Sequence, residues 1–352
     1  MSVNRRTLAL LDGLRRQLDA LLDTQVRDLV RAWAEAWTEV EADLNAALLE
    51  QLVAGERVSR AQLLRSRRLA KALTVIKDRL VTLADEAGVR IAADLQQIID
   101  TAGAAQASVI DSQLPPGAVN MVQIDAWSRV DERQIEAIVR RVTEQITSTM
   151  RPIPAEQYQI LRRELIRGVA AGTNPRATAA RIVRRAEGRF NGGLTRALTI
   201  ARTETLSAHR EAALLGRTQH SDVLKGWRWL TQLDARTCPA CLGMAGTFHA
   251  VDEPGPFGHQ NCRCSAMPVT KSWAELGYSD IEEPADIFPE AKPWFEALAT
   301  GEQRQVLGPK RFAAYQAGEF PMSAWATRRA NPGWRDSYAT AGVPKAARSS
   351  AA

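Results

Sequence analysis

The sequence predicts a mainly α protein: a long N-terminal helical hairpin, a helical middle, a small α+β module and short helices towards the C-terminal end. Three observations lead there. Aromatic residues make up only 6% of the 352, while Ala, Leu and Arg abound, which is the composition of long helices rather than of a sandwich or barrel. Apolar residues recur at helical spacing over most of the first hundred positions. All four cysteines lie between Cys238 and Cys264, in a segment of short alternating runs crowded with Gly and Trp.

Leu8, Leu11, Leu14, Leu18, Leu22, Val26, Leu29, Trp33, Trp37, Val40, Leu44 and Leu48 form one helical face. Their mean spacing of about 3.6 residues belongs to a straight amphipathic helix rather than to a strict heptad. Gly55 is placed to end this helix, and Ser59 with Gln62 to start the next through a capping box. The second stripe, Leu69, Leu73, Ile76, Leu80, Leu83, Ala87, Ile91, Leu95 and Ile98, has the same period, so two long helices should pair antiparallel. Pro115, Pro116 and Gly117 mark a boundary. Helices are then expected over Asp131–Met150, over Ala155–Ala171, from Asn174 and Pro175 onwards, and over Leu194–Gly216 after the Gly192–Gly193 pair. Trp227 and Trp229 alternate on an expected strand, packing one face over the cysteine module. Beyond Pro268, short helices are expected around Ala291–Thr300 and Gln303–Gln316, and disorder from Val343 to Ala352. The resulting division is 1–114, 115–216, 217–270, 271–342 and 343–352.

Formal net charge is +6, carried mostly by arginine. Diffuse charge of this size reads first as solvated helix faces, although the Arg57–Arg79 and Arg176–Arg210 stretches offer groups for phosphate or for an acidic protein. No run approaches a membrane span, and the N-terminal apolar run is cut by Asp12, so no targeting segment is expected. The protein should therefore be made in a reducing cytoplasm, where clustered cysteines point to metal before disulfides.

Cys238, Pro239, Ala240 and Cys241 are followed by His259, Gln260, Asn261, Cys262, Arg263 and Cys264. Two short ligand pairs on separate turns can converge on one tetrahedral ion. Thiolate and imidazole suit Zn2+, and backbone amides in a CxxC knuckle can face the sulfurs. There are five candidates, Cys238, Cys241, His259, Cys262 and Cys264, for four positions. Cys238 and Cys241 form one pair; the other is Cys262 with Cys264, or His259 with one of them. Four protein ligands would close the site and make the zinc structural rather than catalytic.

His209 and Glu211 upstream of Cys238 are similar to part of the zinc-deaminase signature. The proline follows the first cysteine instead of preceding it, Gly243 and Gly246 stand where that family needs helix, and Cys262 and Cys264 would be unexplained. His209 and Glu211 are thus expected to be exposed helix positions. A zinc-dependent DNA-binding or nuclease-like protein is the other alternative, with His259 and Asn261 as its reacting groups. No Walker loop, GxSxG or HExxH is present, and His220 and His249 read as surface or satisfied core histidines.

Ala201 to Thr205, then Leu233 to Cys241, then Gly258 to Cys264, in this order and spacing, strongly resemble the phage Mu F-like, or head morphogenesis, family of minor capsid proteins. The likeness covers Thr195–Pro268, and the segment from Pro293 through Gln305 to Gly318 looks like the tail of such proteins. The resemblance implies a structural, non-enzymatic virion component assembled in the bacterial host cytoplasm. Its implied partners are the portal protein and capsid or scaffold proteins, with packaged DNA as a further contact for the arginine-rich helix faces, and with self-association compatible. On this resemblance 115–216 becomes the head-morphogenesis core and 217–270 the zinc-binding module.

Overall fold

The structure is a computed structural model that describes residues 3–50, 67–118, 121–122, 125–150, 155, 175–331 and 335–343; within it, side chains of 175–193 and some of 37–50 and 68–72 are not described. The expected turn at Gly55–Ser59, the helix Ala155–Ala171 except Ala155, the Asn174 cap and all of the tail except Val343 lie outside the described residues. The chain divides into two compact units: residues 19–95 with 139–205, and residues 1–18 with 96–138 and 206–352.

Among the described residues, the unit of 19–95 and 139–205 is helical apart from a turn at Asp94. Helix α1, Arg5–Glu50, runs for roughly 70 Å at 1.5 Å per residue. Helix α2 spans Arg67–Ala93. Gln25 on α1 meets Asp94 just beyond α2 at 2.8 Å, whereas Arg79 ion-pairs with Glu39 and Asp43. Positions thus rise along one helix as they fall along the other, which is the antiparallel hairpin that the two stripes demand. Leu22, Leu29, Trp33 and Val40 are buried from one helix and Leu73, Ile76, Leu80, Leu83, Ala87 and Ile91 from the other. Helix α4, Glu132–Met150, is capped by Asp131, whose carboxylate accepts the Arg133 N–H at 2.9 Å. It buries Val142, Ile146 and Met150.

Two helix boundaries differ from expectation. The second hairpin helix is interrupted by a turn at Asp94 and resumes as α3, Leu95–Asp111. Aspartate is a poor interior helix former, and Asp94 is held by Gln25. Conversely, no break occurs at Gly192–Gly193: helix α5 runs uninterrupted over Pro175–Thr218. Two glycines cost about 1 kcal/mol each against alanine, but strong helix formers lie on both sides and a second nucleation is avoided.

The other unit holds the β structure. Strands β1 (Leu224–Leu230), β2 (Phe248–His249) and β3 (Ser265–Thr270) form an antiparallel sheet in the order β2-β1-β3. Trp227 lies opposite His249 and Pro268, and Trp229 opposite Ala266. Both tryptophans are 1% exposed and pack with Cys241, Met244, Cys262, Cys264 and Ala266, the packing that their alternation predicts. Helix α6, Pro239–Met244, separates two cores, since its Leu242 joins Phe295, Leu307, Phe312, Phe320 and Trp325 instead.

That second core belongs to the C-terminal lobe, helices α7 (Ala291–Ala297), α8 (Thr300–Leu307) and α9 (Pro309–Gln316). A single helix was expected over Gln303–Gln316. Gly308, with φ 74°, and Pro309 at the first turn of α9 split it. The lobe is also not purely helical: β4 (Ala326–Arg329) pairs antiparallel with β5 (Ser337–Thr340), and Tyr338 of β5 sets its ring edge against Trp229. Among the described residues no helix is long and apolar enough to cross a membrane.

Candidate metal centre

Cys238 ends the loop after β1 and caps α6: its sulfur accepts the Cys241 N–H at 3.4 Å, with Pro239 at the first helical position, where no N–H is missed. This is the knuckle expected of CxxC. The second loop turns at Asn261, whose φ of 59° is in the left-handed region, and the Cys262 N–H donates to the His259 carbonyl at 3.1 Å. Gly258 lets the loop close: a Cβ there would lie 2.6 Å from Cys262 Cβ and 2.8 Å from its sulfur.

All five sequence candidates come together. Cys238, Cys241 and His259 form one group able to hold a metal ion, and Cys241, Cys262 and Cys264 another, with ligand atoms within 4.8 Å in each. His259 Nε2 lies 3.1 Å from Cys238 Sγ and 3.5 Å from Cys241 Sγ, and Cys241 Sγ lies 3.7 Å from Cys262 Sγ. No cysteine is in a disulfide. Contact with the Cys241 thiol pulls Cys238 down to about 5 against the opposing effect of burial, with further help from His259. The Cys241 thiol is pushed up by the same contact. Contact with Cys241, then Cys264, holds Cys262 well below the usual thiol range, and the Cys238 sulfur pushes His259 up to about 9 despite burial. Thiolate character thus concentrates on one sulfur of each loop.

Three supports were not singled out in the sequence. Arg210 of α5 is 9% exposed and donates through Nε to the Cys264 carbonyl at 3.0 Å and through Nη2 to that of Cys262. Thr231 at the end of β1 donates to the Cys241 carbonyl at 2.9 Å and stands 3.6 Å from Cys264 Sγ. Arg263, between the two last cysteines, grips Asp234 with two bonds of 2.6 Å each, tying the loop before Cys238 to the loop after His259.

That fork holds the Asp234 carboxyl down to about 2, chiefly through the Arg263 hydrogen bond. Its folded value lies below the ordinary 3.8, so the contribution is fully present above pH 3.8 and is lost as pH falls through about 2. With the carboxylate 31% exposed, solvent screening leaves about 1–2 kcal/mol. A double-mutant cycle of Asp234→Asn and Arg263→Met, read by urea unfolding at pH 7, is expected to return that coupling; a value near zero would show a merely solvated pair.

His209 is 8% exposed, not an exposed helix position, and Glu211 is half-buried. Burial, then the neighbouring Arg210 charge, pushes His209 down to about 4. The side of α5 that carries His209 and Arg210 packs inward, which its mixed sequence conceals. Neither His209 nor Glu211 joins the metal-capable groups among the described residues, so the deaminase ligand set is not assembled. His220 is buried with Nδ1 3.0 Å from the Gly216 carbonyl, and His249 stacks on Trp227 at 4.1 Å. Thr203, Glu204 and Thr205, within the motif from Ala201, are buried polar residues of α5.

No curated protein and no solved structure matches the chain. The family described as Phage Mu protein F like protein matches residues 159–267, a stretch that contains all five metal-ligand candidates along with Arg210, Thr231, Asp234 and Arg263, and leaves α1 to α4 and the C-terminal lobe outside it. Over residues 159–267, therefore, the chain is similar to phage Mu protein F-like proteins.

Proposed function

We propose that this protein is a non-enzymatic minor head protein of a tailed bacteriophage or prophage that joins the portal region during capsid assembly and resides in the virion. The family match carries the reading. The portal protein and capsid or scaffold proteins are its partners, met through the long helices. Residues 1–114 would serve as hairpin, 115–216 as head-morphogenesis core, 217–270 as zinc module and 271–342 as extension.

Zinc is structural in this reading, held by Cys238, Cys241, His259 and Cys262 with Cys264 as the fifth, supporting sulfur. Metal–ligand lengths of about 2.3 Å to sulfur and 2.0–2.1 Å to nitrogen give tetrahedral edges of about 3.8 Å between sulfurs and about 3.6 Å between sulfur and nitrogen. The separations of 3.1, 3.5 and 3.7 Å around His259, Cys241 and Cys262 support that choice. Four protein ligands leave no position for a reacting water, which favours a clamp over a catalyst.

Elemental analysis should find one zinc per chain, lost on Ala substitution at Cys238, Cys241, His259 or Cys262 and retained in Cys264→Ala. The zinc-loaded chain should then co-purify with portal complexes. Zinc held by three ligands and an exchangeable water, with cleavage of nucleic acid, would replace this reading with the nuclease-like one. A fully loaded chain that enters neither portal complexes nor heads would end it.

A further inference from the structure

A cavity of about 380 Å³ lies between the first turns of α1, helix α5 and the end of β1. Leu8, Leu11, Leu14, Leu206, Leu230 and Leu233 form its aliphatic part, and Asp12, Arg15, Thr231, Gln232, Arg263 and Ser265 belong to its polar lining. Two further polar groups of the lining stand out. Gln106 is 2% exposed, and its Oε1 is buried without a donor, while its Nε2 faces the Ala102 carbonyl of its own helix at 3.3 Å. His209 also lines the cavity, is held neutral by burial, and its imidazole makes no hydrogen bond among the described residues. A buried acceptor without a donor is unfavourable, and an aliphatic wall with a few convergent polar groups is the usual form of a small-ligand site.

Charge and size narrow the ligand. The charges at the rim are already matched, Asp12 with Arg15 and Arg16, and Arg263 with Asp234, so an ionic ligand finds no free counter-charge there. An apolar cavity of roughly 150 Å³ holds benzene. The present one therefore takes a two-ring molecule. We propose that it binds a neutral aromatic ligand of bicyclic size carrying one N–H or O–H donor, the donor meeting Gln106 Oε1 and the ring lying among the leucines and the His209 imidazole. The inference does not rest on the head-assembly reading. The same chemistry comes from a free small molecule or from an aromatic side chain of a neighbouring protein.

Titration calorimetry on the zinc-loaded full chain tests it, with 3-methylindole as the free probe and N-acetyl-Ala-Trp-Ala-amide as the side-chain probe. At least one should bind with a Kd below 1 mM, on the order expected for so few atoms; the free indole alone assigns a small molecule, and equal or tighter binding of the peptide assigns a protein side chain. 3-Methylindole should bind about threefold to tenfold tighter than 1,3-dimethylindole, which lacks the donor, and Gln106→Leu should abolish that preference. Leu206→Trp, or Leu18→Trp from the opposite wall should the first not fold, is expected to weaken binding about tenfold or more at unchanged zinc content. Absence of binding by both probes at millimolar concentration, or binding indifferent to both wall changes, would overturn the proposal.

Discussion

Stripping the metal with a strong chelator is expected to abolish the near-ultraviolet circular dichroism of Trp227 and Trp229 while leaving most of the far-ultraviolet helical signal. The two tryptophans pack on Cys241, Cys262 and Cys264, in a sheet whose β2 is two residues long, so loss of the clamp removes one wall of their surroundings. The hairpin of α1 and α2 instead rests on its own rows of leucine and isoleucine, within the unit of 19–95 and 139–205. Structural zinc supplies about 10–16 kcal/mol in small zinc peptides; even a fraction of that, about 3 kcal/mol, lowers the melting temperature of a small domain by roughly 12–24 °C.

Protons report the same event. In the metal-free site His259 stands at about 9, above its ordinary 6.5, so its charged form stabilises that site fully below 6.5 and is lost as pH rises through 9. Cys238, lowered to about 5 from 9.0, contributes fully above 9.0 and loses its contribution as pH falls through 5. Zinc requires a neutral imidazole and thiolates. Zinc uptake at pH 7 should therefore release protons from His259 and from the raised Cys241, and retention should fail as pH drops towards 5. Calorimetry in buffers of different ionisation enthalpy counts the protons. Tryptophan dichroism indifferent to chelation, or uptake without proton release, would contradict the clamp.

The ligands were legible because their spacing is local: CxxC makes its own turn, and two cysteines around one arginine place sulfurs on a second. The hairpin was legible because a period of 3.6 leaves one way to bury each stripe. What surrounds the ligands depends on which side of α5 packs inward, and a helix with arginine on several sides does not announce that. Arg210 and His209 were hidden for this reason. Strands β4 and β5 were hidden for another: four residues each, with Arg328 and Arg329 exposed, they show no alternation and exist because Trp325 and Tyr338 are anchored on either core. The Gly308–Pro309 break, by contrast, carried a readable signal, glycine at positive φ before proline at a helix start.

Arg210→Met should destabilise the module by about 2–4 kcal/mol and weaken zinc binding by about 10- to 100-fold, although Arg210 supplies no ligand atom. Its guanidinium donates to the carbonyls of Cys262 and Cys264, and so fixes the spacing of the two sulfurs flanking Arg263. Methionine keeps the apolar stem but withdraws both donors, leaving carbonyls beside two buried cysteines without their charged partner. Arg210→Lys separates charge from geometry: the positive charge remains, but a single ammonium cannot span two carbonyls as the planar fork does, so only partial rescue is expected. Competition with a chromophoric chelator gives the zinc affinity, and thermal melting of the loaded protein gives the stability. If the charge alone acts, by favouring thiolates, lysine will match arginine in both measurements; if the fork positions the loop, lysine will stand near methionine.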